Sequence, residues 1–302
     1  MGQPFFSVIV PTYRRPGQLT TCLQALAGSR YPREQFEVVV VDDGGAAPLD
    51  GVVSAFRDRL DVTLLRQAHA GPAAARNTGA AHATGRIFAF TDDDCQPAPD
   101  WLQTLQRHFA PAPDHIVGGR TCNALPANPY STASQLIVDL VYGYYNVEPS
   151  RARFFASNNL ALPADLFRAV GGFDATFTTS EDRELCDRWR HHGYRMTYAP
   201  EAVVYHAHAL TLRTFWRQHF NYGRGAYYFR ELLLRDGAGE LRLEPTSFYA
   251  NLLRHPLAQG QSLRAYWIAM LLGVSQLANA IGFFFEKTHL KVATPRDCEV
   301  FR

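Results

Sequence analysis

The sequence predicts an α/β fold with a mainly parallel central sheet and a helical extension at its C-terminal end, and three observations carry that prediction. Short apolar, β-branched runs alternate with helical stretches through the first hundred residues, which is the pattern of strands joined by crossover helices. Polar residues stand where those runs end: Thr12, Asp42 and Asp92. In open sheets of this kind ligands gather outside the carboxyl ends of the strands. Beyond about residue 210 the alternation gives way to basic, aromatic and finally uncharged helical sequence. The expected division is residues 1–210 for the α/β domain and 211–302 for the extension.

The elements follow in order. Phe5 to Val10 reads as a buried strand, stopped by Pro11-Thr12-Tyr13-Arg14-Arg15-Pro16 before a helix from Gly17 to Leu26. Phe36 to Val41 is a second strand ending in Asp42-Asp43-Gly44-Gly45, and Val62 to Leu65 a third. A small-residue helix, Gly71 to Ala81, precedes the strand Ile87-Phe88-Ala89-Phe90, which runs into Thr91-Asp92-Asp93-Asp94-Cys95; the next helix begins near Pro99-Asp100-Trp101-Leu102. Ala156 to Leu162 reads as a strand with a polar start, and a helix around Ala164 to Val170 leads into Gly171-Gly172-Phe173-Asp174. Thr179 to Trp189 is a helix that Ser180 can cap, with Glu181 and Asp182 in its first turn, where the dipole favours acids. Ala202 to His208 is a strand ending in two histidines on one face.

At 302 residues the chain accommodates one large domain, or one domain with an appendage. Five cysteines without a CxxC pair suggest neither a zinc site nor a disulfide framework and fit a reducing compartment best. Met1-Gly2-Gln3-Pro4 leads directly into a strand with no secretory progression, so a cytoplasmic location is expected. A formal net charge of +2 marks no particular partner.

Three consecutive carboxylates are the most informative feature. Like charges packed this closely repel, and nothing in the stretch itself neutralises them. A hard divalent cation, Mg²⁺ or Mn²⁺, shared between one or two carboxylates and substrate phosphates would do so. On an extended segment residues i and i+2 aim the same way, which selects Asp92 and Asp94 as the metal pair and turns Asp93 elsewhere. The alternative is an acidic turn capping the following helix. Asp42 and Asp43 either make a turn before the two glycines or accept hydrogen bonds from a ribose or base. Arg76 is either a solvated helix residue or a planar donor fork for a phosphate or base edge. Glu181 and Asp182 either cap their helix or supply a general base. His206, at a strand end, is either structural or a ligand, and imidazole suits Mn²⁺ better than Mg²⁺.

Taken in order, Ser7-Val8-Ile9-Val10-Pro11-Thr12-Tyr13, Val41-Asp42-Asp43-Gly44, Ala75-Arg76-Asn77-Thr78-Gly79, Asp92-Asp93-Asp94, Gly171-Gly172-Phe173-Asp174 and Glu181-Asp182 closely resemble the family 2 glycosyltransferases of GT-A fold, over roughly residues 5 to 210. The resemblance implies that Asp42 contacts the nucleoside of a sugar nucleotide, with Pro11, Thr12, Asp43, Arg76 and Asp93 on the same donor side. It implies that Asp92 and Asp94 hold a divalent metal on the diphosphate, and that Asp182 deprotonates the acceptor hydroxyl with Glu181 beside it. His206 matches a metal- or phosphate-side histidine, and Asn158 and Asn159 match donor- and acceptor-side polar groups. Arg183 stands where the family usually has an apolar or small residue, which makes the local acceptor surface unusual.

The implied reaction is an inverting transfer from a nucleotide-diphospho-sugar, expected to be uridine-based, to a hydroxyl of a glycan or lipid-linked acceptor at the inner membrane face. Inversion needs an acceptor-side base and a Lewis acid on the leaving diphosphate, and no second carboxylate offers itself as a covalent nucleophile. Two rivals stand beside it. A sugar-1-phosphate nucleotidyltransferase needs a glycine-rich loop after the first strand, which residues 11–16 do not supply. A non-catalytic sugar-nucleotide-binding scaffold has no need of Asp182.

In the extension, Thr211 to Arg235 holds five arginines against Glu231, a local charge of 5 − 1 = +4, interleaved with aromatics. That suits nucleic acid, although no nucleic-acid motif accompanies it. It also suits a membrane surface, an active-site lid at Tyr222-Gly223-Arg224-Gly225, or an ordinary helix packed through its aromatics. Ala265 to Phe285 carries no charge and is long enough to cross a bilayer. Ser275, Gln276 and Asn279 on one side favour peripheral association over a span.

Overall fold

β-branched and aromatic residues without alternation make the first strands, because a sheet covered by helices on both faces buries both sets of side chains. The computed structural model of the chain describes residues 5–45, 47–235, 245–258, 260 and 262–292. Met1 to Pro4 and Cys298 lie outside them. The chain divides into two compact units, 1–125 with 141–208, and 126–140 with 209–302. The segment 126–140 thus belongs with the C-terminal helices, and the boundary falls inside the helix Pro129–Tyr145.

In the first unit, β1 (Phe6–Thr12), β2 (Phe36–Asp42), β3 (Val62–Arg66) and β4 (Ile87–Phe90) form a parallel half-sheet. They are linked by α1 (Pro16–Ala27), the short α2 (Asp50–Ser54) and α3 (Pro72–His82). Proline opens both α1 and α3, where its missing N–H costs nothing. Gly79 lets α3 lie close on the sheet, since a Cβ there would come within 2.6 Å of Ile9 Cγ2. The chain continues through β5 (Cys95–Pro97), α4 (Trp101–Phe109), β6 (Ile116–Asn123), α5 (Pro129–Tyr145), β7 (Leu160–Pro163), α6 (Ala164–Ala169), α7 (Glu181–His191) and β8 (Met196–His206). The strand order is β3-β2-β1-β4-β7-β6-β8-β5. β7 runs antiparallel to both β4 and β6, and β5 antiparallel to β8, so the sheet is parallel on the β1 side and mixed beyond β4.

Three local expectations are corrected. β4 ends at Phe90, and Asp92 to Asp94 lie in a turn closed by Cys95 N–H to Asp92 O, so strand alternation does not govern them. β8 ends at His206, leaving His208 beyond the strand. Ser180 stands at the N-cap of α7, but with φ 71° and no capping hydrogen bond from its side chain.

The second unit contains α8 (Leu212–Arg235), α9 (Thr246–Ala258) and α10 (Leu263–Val292). Its core joins Ala133, Leu210, Phe215, Leu252, Ile268, Leu271 and Leu272. Tyr222-Gly223-Arg224-Gly225 is the middle of α8 rather than a lid. A Cβ on Gly223 would come within 1.9 Å of Asn279 O, and one on Gly282 within 1.9 Å of Phe220 O, so α8 and α10 cross backbone to backbone. We expect Gly223→Ala or Gly282→Ala to force this crossing apart at a cost of about 1–3 kcal/mol. Thermal denaturation followed through the helical signal checks it; variants that melt with the wild type would mean the crossing is not tight.

Candidate active site

The carboxyl ends of β1, β2 and β4 bring Thr12, Asp42 and the Asp92–Asp94 turn to one edge of the sheet. His206 joins them through β8, with Cys95 opposite His206 in the β5–β8 pairing. Thr12 is buried and donates through Oγ1 to Asp93 Oδ2 at 2.7 Å. Pro11 is buried one residue inside β1. Asp42 is buried, accepts Gly45 N–H at 2.9 Å on Oδ1, and has Arg66 Nε 4.0 Å from Oδ2.

The three aspartates diverge, and the fold supplies the cations that the local sequence lacks. Asp92 Oδ1 accepts Arg76 Nη2 at 2.7 Å. Asp93 accepts Arg15 Nη1 at 3.1 Å on Oδ1 besides Thr12 on Oδ2, and Arg15 also reaches Asp94 Oδ2 at 3.2 Å. Asp94 Oδ1 stands 3.2 Å from His206 Nε2. Burial raises Asp93 to about 6, with Arg15 and Thr12 opposing. For Asp94 burial acts upward, but His206 and Arg15 outweigh it and hold the carboxyl at about 2. Burial acts to lower His206, yet the bond to Asp94 carries it upward. His208, stacked on His206 at 4.8 Å, is pushed down to about 4 by burial and by the His206 charge.

Asp94, Cys95 and His206 place their ligand atoms within 4.8 Å of one another. Cys95 is fully buried, and burial with the neighbouring Asp92 and Asp94 raises its thiol well above the usual range, so it is a protonated, poor donor to a hard cation. Carboxylate and imidazole remain, a donor set that fits Mn²⁺. Asp92 is not in this group; its Oδ1 pairs with Arg76.

Arg76, expected as a solvated residue or an open fork for a ligand, is neither. It is buried, with Nη1 to Glu181 Oε1 at 2.8 Å and Nη2 to Asp92, and its guanidinium lies over the Phe173 ring. Burial disfavours the charge, but Asp92 and Glu181 more than offset this and raise it. Glu181 is buried on this pair. Beside it Asp182 is half-buried and accepts Arg183 N–H at 2.8 Å. Burial first, then Glu181, push Asp182 up to about 7, with the Arg183 N–H and Arg76 opposing.

Two expected ligand-side residues are structural instead. Asp43 spends both oxygens on the β3–α3 loop, accepting Gln67 Nε2 at 2.7 Å, Ala70 N–H at 2.8 Å and Gly71 N–H at 2.9 Å, with His69 Nδ1 at 2.8 Å. Asn159 is fully buried; it accepts Trp101 Nε1 at 2.9 Å and donates to Arg120 O and Ala202 O. Neighbouring Asn158, also buried, faces Thr121 Oγ1 at 3.3 Å. The Gly171-Gly172-Phe173 loop is held by Asn77, which exchanges hydrogen bonds with the Phe173 backbone at 2.7 and 2.9 Å, and by Arg188 to Gly172 O. Both glycines have positive φ, 91° and 70°. The sequence reading did not single out Arg15; the available signal was its place three residues beyond Thr12, at the same strand end as the aspartates.

The model of the family described as Glycosyl transferase family 2 matches residues 7–173. The pre-mycofactocin glycosyltransferase of Mycobacterium tuberculosis is 33% identical over 227 residues, covering 73% of this chain and 46% of its own length. The validoxylamine A glucosyltransferase of Streptomyces hygroscopicus subsp. jinggangensis is 33% identical over 229 residues, covering 66% and 54%. The chain thus spans about half the length of these curated relatives. Among solved structures, a mannosyltransferase from Pyrobaculum calidifontis in complex with GDP-Man and Mn²⁺ superposes with TM-score 0.67 at 21% identity, covering 95% of this chain and 89% of that one. Staphylococcus aureus TarS 1–349 in complex with UDP-GlcNAc does so with TM-score 0.54 at 18% identity, covering 96% and 93%. Both likenesses concern the fold.

Proposed function

The chain belongs to glycosyl transferase family 2, and from that premise we propose that it is an inverting transferase moving a sugar from a nucleotide-diphospho-sugar to an acceptor hydroxyl. The observation that carries the reading is Asp182, a carboxyl raised to about 7 next to Glu181, which Arg76 ties to the aspartate turn. A carboxyl raised in this way titrates closer than an ordinary carboxylate to neutrality, where a general base is most effective.

In this reading Asp182 takes the acceptor O–H proton as that oxygen attacks the anomeric carbon. The bond from that carbon to the diphosphate breaks on the opposite face, and its electron pair leaves with the nucleoside diphosphate. Asp42 accepts a hydrogen bond from the nucleoside, and Thr12 holds Asp93 in place at 2.7 Å. Asp94 and His206 would hold a divalent cation, Mn²⁺ before Mg²⁺. When bound, that ion supplies Lewis-acid stabilisation of the departing diphosphate.

The finer assignments are a uridine nucleotide and a glycan or lipid-linked acceptor at the cytoplasmic face of the inner membrane. Of the structural neighbours one holds GDP-Man and another UDP-GlcNAc, so the nucleotide is the point to test first. Calorimetric titration of UDP, GDP and TDP, each with and without Mn²⁺, is expected to give binding of one nucleotide that weakens when Mn²⁺ is withdrawn or when Asp94 is changed to Asn. Folded protein that binds none of the three would count against the transferase reading and against a sugar-nucleotide-binding scaffold alike.

A further inference from the structure

α10 has two apolar faces, and the first unites the C-terminal unit. Ile268, Leu271 and Leu272 enter its core, Ser275 and Ala278 are fully buried, Gly282 meets α8, and buried Glu286 pairs with Arg224. The second face is exposed. Leu263, Tyr266, Trp267, Met270, Leu277, Ile281, Phe284 and Phe285 are all open to solvent, with Leu263 91% and Phe284 60% exposed. At 3.6 residues per turn these eight fall within an arc of about 100°, along a stripe about 30 Å long. Single exposed apolar residues need no explanation, but a contiguous patch marks an interaction surface.

The charges around the stripe select its partner. Arg264 stands at one end, Lys287 at the other, and the sole acid of the helix, Glu286, is buried against Arg224. A second copy of this chain fits poorly: a two-fold pairing sets Arg264 against Arg264 or against Lys287, cation against cation. An anionic lipid surface answers both features, taking the apolar stripe into its headgroup boundary and the flanking cations at its phosphates. Tyr266 and Trp267 are residue types that settle at this depth. α10 is long and apolar enough to cross a membrane over Leu263–His289. A crossing, however, would take its partner α8 along, with exposed Arg213, Arg217 and Arg235 and the Arg224–Glu286 pair, and intramembrane charge is costly.

We infer that the exposed face of α10 seats the protein on anionic lipid, with the helix lying in the plane of the interface. This sharpens the membrane location in the proposed function, yet it needs no sugar transfer and can fail or hold separately. The experiment is co-sedimentation of the full chain with phosphatidylcholine vesicles with and without phosphatidylglycerol, comparing wild type with Trp267→Glu/Phe284→Glu. Wild type is expected to sediment only with the phosphatidylglycerol vesicles. The double variant should bind them at least tenfold more weakly, with unchanged circular dichroism and nucleotide titration. Brominated lipids report depth in a Trp216→Phe background: quenching of Trp267, strongest for bromines near the headgroup, supports the flat orientation, since the remaining Trp101 and Trp189 are fully buried. Quenching strongest at the bilayer centre would overturn it. So would equal sedimentation of wild type and variant, or absence of binding with a dimer that the double variant dissolves in ultracentrifugation. Loss of nucleotide binding with lipid binding intact would count against the transferase reading alone.

Discussion

Asp182→Asn is expected to lower sugar transfer by about 10²–10⁴-fold while leaving nucleotide affinity within the error of the titration, because only the proton acceptor is lost. The substitution is nearly isosteric, and the amide oxygen can still accept the Arg183 N–H. The pH dependence follows with a definite sign. The folded pKa of Asp182 is raised by burial and by Glu181 to about 7. Its stabilising contribution is therefore fully present below the unfolded carboxyl's own pKa and is lost as pH rises through about 7. Activity runs the other way: the base works when ionised, so the wild-type rate should climb through about pH 7 and then level. Asp182→Asn should show no such limb, and above pH 7 it should be at least as stable as wild type, because a disfavoured charge is gone. A variant turning over at the wild-type rate, with the same rising limb, would remove Asp182 from the mechanism.

The sheet and the place of the site were legible because period and position are local. The β1, β2 and β4 runs are apolar enough to be read as strands unaided, and their polar ends marked the edge where Thr12, Asp42 and the aspartate turn meet. What each polar residue touches is a property of the fold. Asp43 and Asn159 sit in motif positions that suggest ligand contact, yet their partners, the 67–71 loop for one and Trp101 with the β6 and β8 backbones for the other, are 24 to 58 residues away. Arg76 and Glu181 were each visible as candidates, but their pairing spans 105 residues. The aspartates failed the alternation rule because β4 stops a residue before Thr91, and alternation holds only while the backbone stays extended.

Arg76→Met should destabilise the chain by about 3–5 kcal/mol, the cost of removing one partner from a buried ion pair. Arg76 is 3% exposed and Glu181 6%, so Met leaves Glu181 charged with no counterion, whereas the Asp92 side chain, 29% exposed, keeps some water. That asymmetry makes the prediction specific. Neutralising the deeper acid in the same chain, as Arg76→Met/Glu181→Gln, should recover most of the loss, while Arg76→Met/Asp92→Asn should recover less. Lysine is expected to fall between, since one ammonium cannot span two carboxylates as a planar fork does. For a domain of this size the single change corresponds to a melting temperature lower by about 10 °C. Because Arg76 also opposes the upward push on Asp182, any activity left in Arg76→Met should rise at a higher pH than in wild type. Arg76→Met melting with the wild type, or equal rescue by both double variants, would show that the guanidinium is not the tie between the aspartate turn and the start of α7.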